Sequence, residues 1–271
     1  MKTYLNRFVL AVAATFMLAG CELDDPEPMP SSSPAFLLKV STTTGDSREF
    51  GYDSRGWLVR LDGKGALALN EKQESKSEVI YDGWGRISYV VTDGPTEDIE
   101  NVYSYTSDNK LYKLEELINK KVESYHTFEY DGTGENARLK TRSSFYKDAP
   151  TDAAPRETSK STFTYDASGN LSEVTQSQKT SATADWQVTQ RIKYENYDGK
   201  VAVQHLTEGF LFTPGIRLHQ SNPGKVTIIL ANGEQRVTTH TYQYNERGLP
   251  VKRTSTPDTG APFETVYTYN L

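Results

Sequence analysis

Apolar and polar residues alternate in short runs along most of the chain, and each run ends on a tyrosine. In Val79-Ile-Tyr81, Tyr103-Ser-Tyr105 and Phe163-Thr-Tyr165 the residue two before the tyrosine is apolar, and the residues between and before them are mostly Thr, Ser, Lys, Glu or Gln. A period of two is that of a half-buried strand. The tyrosine is followed by Asp-x-x-Gly or a close variant, then by an aliphatic residue six after the tyrosine. Asp bonds its own downstream backbone N–H, and Gly or Asn accepts a positive φ, so the chain reverses after each tyrosine.

The unit recurs about eight times. Tyr52, Tyr81, Tyr105 and Tyr165 head regular copies, with Leu58, Ile87, Leu111 and Leu171 as their aliphatic partners. Three copies slip: Tyr130 reaches Leu139 late, Tyr194 has one extra residue before Gly199 and Val201, and Tyr244 carries Pro250 ahead of Val251. A worn copy is placed at Asn222-Pro-Gly224-Lys-Val226, and Tyr267-Thr-Tyr269 is a last copy cut short. Leu58 and Leu61, Ile87 and Val90, Leu111 and Leu114, and Leu171 and Val174 are three apart, which strict alternation puts on opposite faces. A bulge just after the turn restores both to one face; a short helical turn is the alternative. Ala231-Asn232-Gly233-Glu234 marks a hairpin between copies. Leu111 to Val122 has a pattern that passes for a helix, and Ile118-Asn-Lys-Lys-Val122 reads equally well as a tight turn.

These residues resemble the YD or Rhs-type repeat, a Tyr-Asp-x-x-Gly-Arg-Leu core followed three residues later by Val, and Tyr81-Asp82-Gly-Trp-Gly85-Arg86-Ile87 is the nearest copy. The resemblance covers most of residues 48–271 and specifies a hairpin, not a chemistry. It implies similarity to short Bacteroidetes lipoproteins of unknown function that carry a handful of such repeats. The fold expected is an all-β antiparallel meander of about 16–18 strands, curled or porin-like but open. At ~4.8 Å per strand such a sheet is roughly 80 Å across if flat, so burying the tyrosine face requires it to curl. A lipid-facing barrel is not expected, because the other face carries Lys, Glu, Thr and Gln.

Residues 1–20 read as a secretion signal: Lys2 and Arg7, the apolar stretch Phe8 to Leu18, then Leu18-Ala-Gly-Cys21 matching a lipobox. The apolar run falls short of the ~20 residues a spanning helix needs. Cys21 is the single cysteine, hence the expected site of lipidation, and no disulfide within the chain is possible. A triacylated cysteine, at ~0.8 kcal/mol per buried methylene, holds a domain on a membrane. Residues 21–35 form an acidic, Pro- and Ser-rich tether. Its Glu22-Leu-Asp24-Asp25-Pro-Glu27 resembles the signal for export to the outer face, a solvated spacer being the other reading. Residues 36–271 are one β domain. Localisation at the outer membrane follows, with the cell surface favoured over a periplasm-facing position.

The signal takes away two positive charges and no negative one, so a net charge of -6 becomes -8, which argues against nucleic acid as a partner. No cofactor or metal is expected, since His126, His205, His219 and His240 lack ligand spacing and no glycine loop opens a helix. Asp131-Gly-Thr-Gly-Glu135 resembles a calcium loop only loosely. Carboxylates are plentiful enough for a hydrolase pair, but Asp53, Asp82, Asp131 and Asp166 already form turns. The candidate partner contacts are Trp57, Trp84 and Trp186, at or near turns, and Phe210 and Phe212 in the Thr207 to Pro223 stretch that breaks the pattern. Such aromatics suit sugar faces and protein hot spots, or lie flat on a neighbouring hairpin. The function expected is a non-catalytic binding or structural module for glycan or envelope protein; a carboxylate-dependent glycan hydrolase, an immunity or carrier partner of a secreted toxin and a purely structural spacer in the envelope are the alternatives.

Overall fold

The computed structural model describes residues 35–69, 73–94, 96–134, 137–147, 152–202 and 213–270; Cys21 and the tether lie outside them. Seven copies of the repeat fold as hairpins. β2 (Ser47–Tyr52) turns into β3 (Leu58–Lys64), β4 (Glu74–Tyr81) into β5 (Ile87–Thr92), and β6 (Ile99–Tyr105) into β7 (Leu111–Ile118). Next, β8 (Lys121–Asp131) turns into β9 (Arg138–Tyr146), β10 (Arg156–Tyr165) into β11 (Leu171–Gln178), β12 (Gln187–Tyr197) into β13 (Pro223–Leu230), and β14 (Gln235–Tyr244) into β15 (Pro250–Pro257). The eighth copy is split between the two ends of the domain: β16 (Phe263–Tyr269) is its strand before the turn and β1 (Leu37–Thr42) its strand after.

That eighth pairing overturns the open sheet. The strands run in sequence order around a closed barrel of 16 strands, β1 lying between β2 and β16. Tyr269 pairs with Leu37 as Tyr52 pairs with Leu58 and Tyr81 with Ile87. Leu37 and Val40, three apart and both buried, have the spacing of a post-turn strand. Asn270 N donates to Phe36 O, and Phe36 N donates to the Asn270 side chain, so the seam continues past the strands. Closure leaves no unpaired sheet edge.

Each regular turn is built as the sequence requires. Asp53 Oδ1 accepts from the backbone N–H of Arg55 (2.9 Å) and Trp57 (3.0 Å), and Gly56, at φ 80°, donates to Asp53 O. Asp82 and Asn245 repeat this arrangement, and Thr106 substitutes its hydroxyl. The expected bulge follows the turn. Gly51 faces Arg60 while Tyr52 faces Leu58, leaving Val59 as the extra residue, so Leu58 and Leu61 are both buried. Ile87 and Val90, and Leu111 and Leu114, are brought to one face in the same way. The stretch from Leu111 to Val122 is strand, turn, strand: Asn119 and Lys120 have φ of 53° and 60°, the geometry of a type I′ hairpin.

One assignment of copies changes. Asn196, at φ 58°, puts an extra residue into β12, so that Tyr197, not Tyr194, faces the next strand's leading residue, Pro223. Val201 is 61% exposed and plays no part in the repeat. Asn222-Pro223-Gly224-Lys225-Val226 is therefore the second half of the Tyr197 copy, displaced by an insertion, and not a worn copy of its own.

The tyrosine side faces inward. Leu37, Leu61, Val90, Leu111, Leu114, Leu139 and Leu171 are at most 2% exposed. Seven tyrosine hydroxyls each reach back one copy to the carbonyl of its post-turn residue. Tyr52 donates to Leu37 (2.8 Å), Tyr81 to Leu58 (2.9 Å), Tyr105 to Ile87 (2.7 Å), Tyr130 to Leu111 (2.8 Å), Tyr165 to Leu139 (2.9 Å), Tyr197 to Leu171 (2.6 Å) and Tyr269 to Pro250 (2.8 Å). Burial pushes the hydroxyls of Tyr52, Tyr105 and Tyr165 up to about 12, which keeps them protonated donors. Away from the turns the interior becomes polar, with Ser75, Ser77, Thr92, Ser124, Ser144, Ser161 and Ser255 buried. Outside, Lys39–Glu49, Lys225–Glu195 and Lys252–Glu264 bridge neighbouring strands. Exposed pairs of this kind add little stability; they put charge on the outer wall, beside exposed apolar residues such as Leu38, Ile80 and Val266.

Candidate functional site

The repeat turns, the Phe36 and Asn270 end of the β16–β1 seam and the described part of the insertion between β12 and β13 lie at one end of the barrel; the hairpins between copies lie at the other. A ring of 16 strands is wider than its own inward side chains fill, unlike a barrel of about eight. At the turn end the insertion supplies the missing filling. Ile216 and Leu218 pack against the buried core, Leu171 N donates to Leu218 O (2.9 Å), and Asn170 Oδ1 accepts from the N–H groups of Gln220 (2.9 Å) and Ser221 (3.0 Å). The insertion is nevertheless closed off like an ordinary turn: Asp198 N donates to Asn222 O (3.1 Å) and Asn222 N to Asp198 Oδ1 (3.1 Å). Tyr244, at the repeat position, turns its hydroxyl to Asp198 and Asn222 instead of to the ladder, and Tyr242 takes the Pro223 carbonyl (3.0 Å).

Between the insertion and the turns of the Tyr81, Tyr105 and Tyr130 copies lies a cavity of about 1090 Å³. Ile87, Leu111, Leu139 and Ile216 give it apolar surface, and Arg86, Lys110, Arg138 and Arg217 put positive charge on its wall. Asp108 is the one carboxylate among the described lining residues. Arg86 is committed to Asp82 (2.7 Å) and to Asn109 Oδ1 (2.9 Å), and its guanidinium lies 4.7 Å from the Tyr105 ring centre. Lys110 Nζ lies 3.8 Å from Asp108 Oδ2 and 5.1 Å over the Tyr130 ring, with no hydrogen-bond partner among the described residues.

The aromatic candidates are not gathered into one surface. Trp57 lies at the turn end, half-buried, tilted on Tyr81 (4.8 Å between centroids) and covered by the Arg55 guanidinium at 3.8 Å, so it packs on the neighbouring hairpin. Trp84, one turn along at the same end, is 82% exposed. Trp186 sits at the opposite end, between Lys160 (4.9 Å) and Lys179 (4.8 Å). Phe210 and Phe212 lie outside the described residues, as does His205. The described histidines each have a local partner: His126 Nδ1 and Ser144 Oγ (2.8 Å), His240 Nδ1 and Ser255 Oγ (3.0 Å), His219 Nδ1 and Tyr197 OH (2.7 Å). Burial, with the nearby Arg142 charge, pulls His126 down to about 4, so it is neutral at ordinary pH. Among the described residues no three His, Cys, Asp or Glu side chains come together as a metal site would need. The cationic wall is not legible in the sequence, because Lys110, Arg138 and Arg217 are far apart in the chain and meet only around the cavity.

No family model matches the chain, and no curated protein matches it in sequence. Solved structures do share its fold. The crystal structure of a porin-like protein from Bacteroides uniformis ATCC 8492 aligns with a TM-score of 0.56 at 13% identity, over 88% of this chain and 99% of that one. A porin-like protein from Bacteroides vulgatus ATCC 8482 aligns with a TM-score of 0.58 at 16% identity, over 87% of this chain and 99% of that one. At these identities the likeness is one of fold: an antiparallel barrel of the same extent.

Proposed function

We propose that this chain is a non-catalytic binding module of the cell envelope, with the cavity at the turn end as its binding site and lipidated Cys21 as its anchor at the outer membrane. The observation that carries the reading is the insertion. Six of the eight repeat copies close as hairpins without an insertion and one is split across the seam, whereas the Tyr197 copy carries an insertion whose residues Pro214 to Arg217 line one side of an open cavity of about 1090 Å³. Where a repeat departs from its pattern without losing its turn closure, recognition is the natural use of the extra chain. The hydrolase reading gains no support from the cavity, whose described lining offers Asp108 without a second carboxylate.

The two neighbours are porin-like by name. We take that likeness as one of barrel architecture, since the charged outer wall of this chain favours a water-filled surrounding and a lipid anchor over insertion of the barrel itself. The hairpins, with their bulge and tyrosine ladder, are read as YD or Rhs-type repeats. The test has two parts. Cys21→Ala should release the protein from the membrane fraction, and its retention there would end the anchor assignment. Screening full-length protein against glycan arrays and envelope extracts, beside a variant in which residues 199–221 are replaced by a short turn, should give binding that the replacement abolishes; binding that survives it would remove the cavity as the site.

A further inference from the structure

We propose that the cavity takes a small organic anion, its acidic group held between Lys110, Arg138 and Arg217 and its uncharged body laid against Ile87, Leu111 and Leu139. This rests on reading the cavity as the binding site and adds the class of ligand.

Among the described residues, Arg138 and Arg217 on this wall have no ion pair, and Lys110 has only a long one. Lys110 Nζ pairs with Asp108 at 3.8 Å, beyond hydrogen-bond distance, and faces the Tyr130 ring at 5.1 Å, and it makes no hydrogen bond among the described residues. An ammonium this sheltered gains from a second anionic oxygen within hydrogen-bond distance. Arg138 has the Tyr165 ring at 5.3 Å and no ion pair among the described residues. Arg217, exposed on the insertion, also has no ion pair among them. On a chain whose net charge is -6, this gathering of cations runs against the balance of the molecule.

Arg86 is excluded from the group, because Asp82 and Asn109 already use its guanidinium. Two guanidiniums and an ammonium suit a carboxylate, sulfate or phosphate ester, the guanidinium fork pairing with two oxygens at once. The apolar floor offers a bare inorganic ion nothing to contact, so the ligand has an uncharged body as well. The volume, just above the ~300–1,000 Å³ usual for small-molecule sites, leaves room for a body about the size of a disaccharide.

The experiment is isothermal titration calorimetry on the full-length protein with four probes: digalacturonate, a sulfated disaccharide, glucose 1-phosphate and neutral cellobiose. At least one anionic probe should bind about tenfold or more tightly than cellobiose and weaken as salt is raised to about 0.5 M. Arg217→Gln, exposed and not needed for folding, should weaken it by about tenfold, and Lys110→Met by more. Which anion binds best distinguishes carboxylate, sulfate and phosphate. Cellobiose binding as tightly as every anion, anion binding unchanged by Arg217→Gln, or no anion binding at all would each overturn the proposal. In the first case, if replacing residues 199–221 abolishes cellobiose binding, the cavity still stands as the site and only the ligand class falls.

Discussion

A phenol at the repeat position does two things that a leucine there would not. Its ring fills the barrel beside the post-turn aliphatic residue, and its hydroxyl satisfies a carbonyl one copy back, so successive hairpins are tied together as well as packed. The first role was legible in the sequence, because alternation places the tyrosine on the apolar face. The second was not, because the acceptor belongs to another copy: Tyr105 bonds Ile87 O, 18 residues earlier. Tyr105→Phe keeps the ring and orphans that half-buried carbonyl, which costs about 1–2 kcal/mol. Calorimetry should show a melting temperature lower by about 2–4 °C per kcal/mol. Tyr112→Phe, on the outward bulge residue of β7 and 44% exposed, should leave it unchanged. Equal effects at the two positions would mean that the ladder contributes nothing beyond burial.

Hairpins were legible at the scale of the element because everything that makes one is local. Asp-x-x-Gly fixes the turn, and the spacing of three between Leu58 and Leu61 announces the bulge. The insertion was half legible. The broken pattern after Tyr194 and the apolar residues within it marked it as unusual, but the extra residue at Asn196 disguised which tyrosine heads the copy. The folded geometry makes the insertion separable from the barrel. Asp198 and Asn222 already make the bonds that Asp166 and Asn170 make across an ordinary turn: Asp166 N to Asn170 O at 2.8 Å, and Asn170 N to Asp166 Oδ1 at 2.9 Å. Replacing residues 199–221 with Ala-Ser-Gly, the segment Asp166 and Asn170 enclose, should therefore give a chain that still folds as β-sheet by circular dichroism. It should melt lower, because Ile216 and Leu218 leave the core and the Leu171 and Asn170 bonds to the insertion are lost. A variant that failed to fold would mean that the insertion is a structural plug the wall cannot form without.

At the scale of the molecule, the strand order and the inward tyrosine face followed from the repeat, whereas closure depended on a partnership between Leu37–Thr42 and Phe263–Tyr269 that spans the whole domain. The two halves of that copy were present, Tyr267-Thr-Tyr269 before a missing turn and Leu37-Leu-Lys-Val40 after one, but nothing local says that an incomplete repeat finds its other half at the far end. The energetic reason it does is that an open sheet leaves two edges unpaired and the tyrosine face of its end strands only half covered. In the barrel Tyr269 and Leu37 are buried, at 9% and 0% exposed, and Tyr52 reaches Leu37 O across the seam copy. Amide hydrogen exchange separates the two architectures. In a closed barrel the β1 and β16 amides that bond across the seam, among Lys39, Ser41 and Val266, are protected to the same degree as those of interior strands such as β6 and β7. In an open sheet each end strand would keep only the amides directed at its single neighbour, and those facing the gap would exchange at the rate of exposed loops. Protection on both sides of β1 is the expected result, and fast exchange confined to the seam-facing amides of both β1 and β16 would return the fold to an open strip.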